Sequence, residues 1–180
     1  MYGLVNQAVQ DFIVAKHGEP VWASVRAKAG FTDPVFIPLE QYPDALTFAL
    51  VGAACEATGA DAATLVEEIG AFWVAFTAKQ GYGPLLDQLG ATFPEALANL
   101  DAMHVRVALM MPNLKPPSFR VREVAARSLT LDYISRRQGL SPMVIGLVKG
   151  LGRKYGLEPR VSLTAPRAEG GDTDTFEVTW

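Results

Sequence analysis

The hydrophobic period of this 180-residue chain changes across the proline-marked stretch 112–117, and that change limits what it can fold into. Up to Met111, apolar residues recur at intervals of three and four, the repeat of helices with one buried face. From Phe119 they alternate with polar ones, in Phe119-Arg-Val-Arg-Glu-Val and again in Ser128-Leu-Thr-Leu-Asp-Tyr, which is the period of a half-buried antiparallel strand pair. A helical first part followed by strands predicts an α+β fold, with a helical N-terminal lobe and a C-terminal lobe of antiparallel sheet and helices. At 180 residues one domain is expected, its helix-rich lobe over roughly 1–65 and its sheet-containing lobe over roughly 66–180.

Punctuation refines this outline. A helix over Leu4–Val14 ends near Gly18, and Glu19-Pro20 opens a second that Gly30 ends. Pro34 and Pro38 break the connector that follows. Pro43-Asp44 starts a third helix, and Asp61 caps a fourth that carries Phe72, Trp73 and Phe76. Thr92-x-x-Glu95 reads as a capping box, predicting one helix from there to Pro112. Ser141-Pro142 introduces a helix through Lys149, and Arg160–Thr164 and Thr175–Thr179 are strand candidates around a Gly170-Gly171-Asp172 turn.

Two features carry chemistry. On the helix after Thr92, the residues Phe93, Leu97, Leu100, His104, Val107, Ala108 and Met111 share one face, which puts His104 inside an apolar stripe. An imidazole there is either hydrogen-bonded within the core or binds something. Further on, Tyr133-x-Ser135-x-Arg137 spaces a phenol, a hydroxyl and a guanidinium by two. In an extended segment such residues point the same way, so their tips converge on an acceptor-rich ligand, although a strand end facing water has the same pattern. A guanidinium forks onto one carboxylate and the hydroxyls donate to a second. Haem needs both an imidazole for its iron and a clamp for its two propionates. Met103, Met110 and Met111 are read as packing residues, and Cys55 as a small buried hydrophobe.

On these residues the chain resembles the H-NOX (haem–nitric oxide/oxygen binding) domains, of the bacterial stand-alone type related to the soluble guanylate cyclase haem domain. Met1-Tyr-Gly-Leu-Val-Asn-Gln-Ala-Val-Gln-Asp-Phe is similar to the family's opening helix. Leu100-Asp-Ala-Met-His104 resembles its ligand helix, and Pro116-Pro117-Ser118-Phe119 the segment after it. Tyr133-x-Ser135-x-Arg137 matches its signature, and Gly139-Leu140 through Gly146-Leu147 the helix that follows. The resemblance implies haem b between the two lobes, with His104 as proximal iron ligand. It also implies that Tyr133, Ser135 and Arg137 grip the propionates and that Pro117 presses the macrocycle out of plane.

By the same resemblance, the distal gas pocket comprises Val5, Val9, Trp73, Met143 and Leu147. Oxygen-holding members place a phenol where this chain has Met143, or Pro142 if the register slips by one. Trp73 is then the one nearby hydrogen-bond donor. The expectation is a nitric oxide sensor that also takes carbon monoxide and holds oxygen poorly. Nitric oxide would weaken the His104–iron bond and shift the helix. A separate histidine kinase, diguanylate cyclase or phosphodiesterase would read that shift, since the chain ends after one domain.

Other classes are argued against. A net charge of −3 without Lys/Arg runs does not suit a nucleic-acid binder. Cys55 is the only cysteine, in keeping with a reducing, cytoplasmic setting, and neither a secretory signal nor a membrane-spanning apolar stretch is evident. No nucleotide loop, metal-ligand cluster or nucleophilic triad suggests turnover, so an enzyme is not expected. The competing readings are a haem enzyme or nitric oxide scavenger, and a non-haem carboxylate- or lipid-binding domain. A Soret band excludes the second of these.

Overall fold

A computed structural model describes residues 1–180. Helices α1 (Gly3–His17), α2 (Glu19–Lys28), α3 (Asp44–Thr58) and α4 (Ala62–Thr77) come first. A π-helical turn, Ala78–Tyr82, leads from α4 into α5 (Gly83–Asp87), and α6 (Phe93–Ala98) and α7 (Leu100–Met110) follow. Strands β1 (Ser118–Arg122) and β2 (Ser128–Ile134) precede α8 (Ser141–Lys154), and β3 (Arg160–Ala165) and β4 (Thr173–Thr179) close the chain. The sheet is antiparallel in the order β1-β2-β4-β3. The α+β expectation and all four strands are observed.

Local chemistry sets the helix ends. Gly59 stops α3 with a left-handed φ of 69°, a conformation that costs a Cβ-bearing residue. Asp61 caps α4 by accepting from the Thr64 amide at 3.1 Å. The Thr92–Glu95 capping box is reciprocal, each side chain accepting from the other's backbone N–H. The single helix expected after it is, however, two. The backbone at Asn99 leaves the helical region, with ψ near 4°, and its side-chain amide donates to the Leu89 carbonyl at 2.7 Å. That tether turns α7 away from α6.

Two main cores result. One packs α1–α4 around Ile13, Val25, Leu50 and Leu65, with Phe31 stacked on Phe36 at 3.9 Å. The other packs the sheet residues Leu129, Leu131, Phe176 and Val178 against Phe93 and Leu97 of α6 and Val144, Val148 and Leu151 of α8. Helix α4 belongs to both, giving Leu65 and Ile69 to the first and Val74 to the second. It crosses α8 backbone to backbone. A Cβ at Gly146 would collide with the Glu67 carbonyl, and one at Gly150 would sit 2.6 Å from the Ala71 carbonyl. Cys55 is only partly buried, beside the first core, and Met110 is 57% exposed, so neither is the core residue expected. No single helix is long and apolar enough to cross a membrane.

Candidate functional site

A cavity of about 880 Å³ opens between these elements. That is within the range of roughly 300–1,000 Å³ typical of cofactor-sized sites. The expected iron, propionate and gas-pocket residues line it, with Met143 and not the alternative Pro142: Val5 and Val9 from α1, Trp73 from α4, His104 from α7 and Tyr133 from β2. Met143 and Leu147 from α8 join them, as do Pro117, Ser135 and Arg137 from loops. Most of the wall is apolar, and the polar groups come from few positions.

Helix α7 has no fully buried residue; its inner face, Met103, His104 and Val107, borders the cavity, with Met103 and Val107 also packed against the edges of the hydrophobic core. The Nδ1 atom of His104 is buried without a hydrogen-bond partner. Burial pushes the imidazole pKa down, and nearby Asp101 and the Pro117 backbone offset this only in part. The ring is therefore neutral at physiological pH, the form that ligates metals. Asp101, one turn before it, fastens α7 to β1. Its carboxylate accepts from the Ser118 hydroxyl at 2.5 Å and from the Phe119 amide at 2.7 Å. Nothing in the sequence pattern singled out Asp101.

The clamp is built differently from its sequence rationale. Strand β2 ends at Ile134, so only Tyr133 is placed by strand alternation, and Ser135 and Arg137 lie in the loop beyond it. All three nonetheless face one cavity. Tyr133 is 3% exposed, and burial raises its phenol pKa, keeping it a donor. The Ser135 hydroxyl accepts from the Arg137 amide at 3.1 Å. Arg137 donates through Nε to Asp44 at 2.9 Å and through Nη1 to the Lys115 carbonyl at 2.9 Å. Its Nη2 makes no such bond and remains available at the cavity wall.

On the α1/α4/α8 side, Val5, Val9, Met143 and Leu147 offer no donor. Polar residues that the sequence reading did not include also line the cavity, among them Gln41, Asp44, Thr47, Asn113 and Lys115, and on this side Thr77 and Tyr82. The Thr77 hydroxyl is spent within its own helix, on the Trp73 and Val74 carbonyls at 2.9 and 3.2 Å. Tyr82 ends the π-helical turn, a departure from the helical repeat that no periodicity argument anticipates.

The residues fit a porphyrin on the chain's own evidence: a neutral imidazole with an orphaned buried nitrogen, an apolar enclosure and a guanidinium with a free edge. Comparison with known proteins points the same way. A family described as haem-NO-binding matches residues 2–163. The soluble guanylate cyclase gcy-31 of Caenorhabditis elegans is 32% identical over 154 residues, which is 86% of this chain and 22% of gcy-31. Soluble guanylate cyclase 89Da of Drosophila melanogaster is 26% identical over 159 residues, 88% of this chain and 24% of that protein. The chain thus spans about a quarter or less of the length of these relatives. Among solved structures, an Fe(II)-state mutant of an H-NOX protein from S. oneidensis superposes with a TM-score of 0.90 at 19% identity, covering 99% of this chain and 95% of that one. The Fe(II)NO state of an H-NOX protein from S. oneidensis gives a TM-score of 0.88 at 20% identity, covering 99% and 98%. At such identities the structures establish the fold.

Proposed function

The chain belongs to the haem-NO-binding, or H-NOX, family, and from that premise we propose that its cavity takes haem b and that it acts as a nitric oxide-selective sensor for a separate signalling protein. Members of this family are haem-binding sensor domains, not catalytic ones. The observation that carries the reading is the convergence on one apolar cavity of His104 from α7 and of Tyr133, Ser135 and Arg137 from the end of β2 and the loop after it.

In this reading His104 is the proximal ligand, and Tyr133, Ser135 and the free edge of Arg137 hold the propionates. Pro117, in the cavity wall, would press on a bound porphyrin. When bound, haem supplies an iron whose open side accepts nitric oxide or carbon monoxide. The chain's part is to choose among gases. Bound oxygen gains from a hydrogen bond; Val5, Val9, Met143 and Leu147 provide none, and on this side of the cavity Trp73 and Tyr82 are the donor candidates.

The signalling element is α7. It carries His104, presents Val105 and Leu109 to solvent at 67% and 81% exposure, and is fastened to the sheet by Asp101. Release or retention of His104 shifts the balance between two seats of α7, which a partner reads. We take residues 1–180 as one domain, with the lobe of roughly 1–65 moving against the remainder, and the partner as a histidine kinase or a diguanylate cyclase or phosphodiesterase in the cytoplasm.

Absorption spectra of the reduced protein test this. A Soret band is expected, altered by nitric oxide and by carbon monoxide and unchanged by air beyond oxidation. His104→Ala should change the unliganded spectrum or lose haem. A stable oxy spectrum in air ends the selectivity reading, and an unchanged His104→Ala spectrum ends the ligand assignment.

A further inference from the structure

The backbone of the loop that carries Ser135 and Arg137 is paired with neither a strand nor a helix. The β2–β4 pairing stops at Ile134, after which the Ser135 amide reaches the Asp172 carbonyl at 2.8 Å. The carbonyls of Ser135 and Arg137 both accept from one atom, Nη1 of Arg167, at 2.7 and 3.1 Å. The rest of that guanidinium is committed to Asp174, with Nη2 at 2.6 Å and Nε at 3.0 Å from Oδ2. The Arg167 amide donates to Oδ1 at 2.8 Å, and the Ser141 hydroxyl at the start of α8 donates to Oδ2 at 3.0 Å. The Arg167 guanidinium also stands 5.8 Å from the centre of the Tyr133 ring. One side chain in the β3–β4 connection therefore touches all three clamp residues.

Both charges are withdrawn from water, Arg167 at 13% and Asp174 at 3% side-chain exposure. Such a pair pays desolvation on both sides and is poorly explained as a source of stability alone. What a planar five-donor fork supplies is fixed geometry, since it bridges a carboxylate and two carbonyls at once. We infer that Arg167, seated on Asp174, is the positioning residue that sets the direction of Ser135 and Arg137 toward the propionates. Both residues lie beyond residue 163, where the family match ends.

The inference rests on the haem reading, and its test separates the two. The protein is loaded with haem or with haem dimethyl ester, whose propionates cannot be gripped as carboxylates, and transfer to a haem-scavenging globin is timed. Arg167→Met should speed loss of haem by roughly ten- to a hundredfold, the range for residues that orient a binding group. Loss of the diester should change by less than about threefold, because misdirected hydroxyl and guanidinium groups have no carboxylate to lose. If Arg167→Met does not fold, Arg167→Lys decides. An ammonium can pair with Asp174 but cannot also reach both carbonyls, so a smaller acceleration confined to native haem is expected. Equal acceleration of both porphyrins, or none, overturns the positioning role while leaving haem binding intact. An unaltered protein that takes up neither porphyrin overturns the haem reading and this role together.

Discussion

Arg137 is tied across 93 residues of sequence to Asp44, whose Oδ2 accepts from its Nε at 2.9 Å. The same carboxylate accepts from the Met1 amino group at 2.6 Å, and that bond first, then Arg137, holds its pKa below the usual range. Asp44 thus turns the guanidinium so that the edge bearing Nη2 is the one left over. With Asp44 at 42% side-chain exposure the pair is partly solvated, and its contribution is modest. Asp44→Ala should accelerate haem loss by roughly two- to fivefold, the scale of an exposed ion pair. Transfer to a haem-scavenging globin measures it.

Acidity should act on the haem-free protein through His104. Its folded pKa lies below the ordinary 6.5, with burial the main cause, so the unfolded chain binds this proton first. Stability is therefore fully present above that value and is lost as pH falls through it toward the lower folded value. Denaturant unfolding at about pH 7.5 and about pH 5.5 should show weaker folding at the acid end. In His104→Gln that difference should shrink. Asp44, Asp132 and Asp174, all with lowered pKa, add their own losses only at more acid pH, as it falls through the carboxylate range.

Asp101→Ala should loosen α7. It leaves the Phe119 amide and the Ser118 hydroxyl without their acceptor, at a cost of about 1–3 kcal/mol for unsatisfied buried groups. The unfolding midpoint should fall, and hydrogen exchange should quicken in α7 more than in α8. Uniform exchange across both helices would contradict a local fastening.

Gly146→Ala should destabilise the protein by about 1–3 kcal/mol, because the added methyl meets the Glu67 carbonyl and not a yielding side chain. For a chain of this size that corresponds to a midpoint lower by roughly 2–4 °C per kcal/mol. Thermal unfolding followed by circular dichroism checks it. The exposed Gly52, where a Cβ meets nothing within 4 Å, is the control and should tolerate alanine.

What was legible in the sequence was local. The change from a three-to-four repeat to alternation located the sheet, and Asp61 and the Thr92–Glu95 pair marked helix starts because each cap acts within three residues. The break at Asn99 was not legible, since it depends on the Leu89 carbonyl ten residues away. The spacing of Tyr133, Ser135 and Arg137 anticipated that they share one cavity, but for an incomplete reason. Strand alternation accounts for Tyr133 alone, and the loop carrying its two companions is held by a guanidinium thirty residues further on. The partners of Asp44, Asp101 and Arg167 were not legible for one reason: a charged residue reveals its partner only when the chain has folded. The close approach of α4 and α8 was equally hidden, because Gly146 and Gly150 carry no hydrophobic signal.

That crossing has a consequence for how the cavity can vary. The spacing of α4 and α8 is set by main-chain contact at Gly70, Gly146 and Gly150, whereas Trp73, Met143 and Leu147 project from the same two helices into the cavity. Scaffold and lining are thus borne by different residues on shared rods. The lining can be exchanged for larger, smaller or proton-donating side chains while the frame keeps its dimensions, so what the cavity accepts can change without a change of fold.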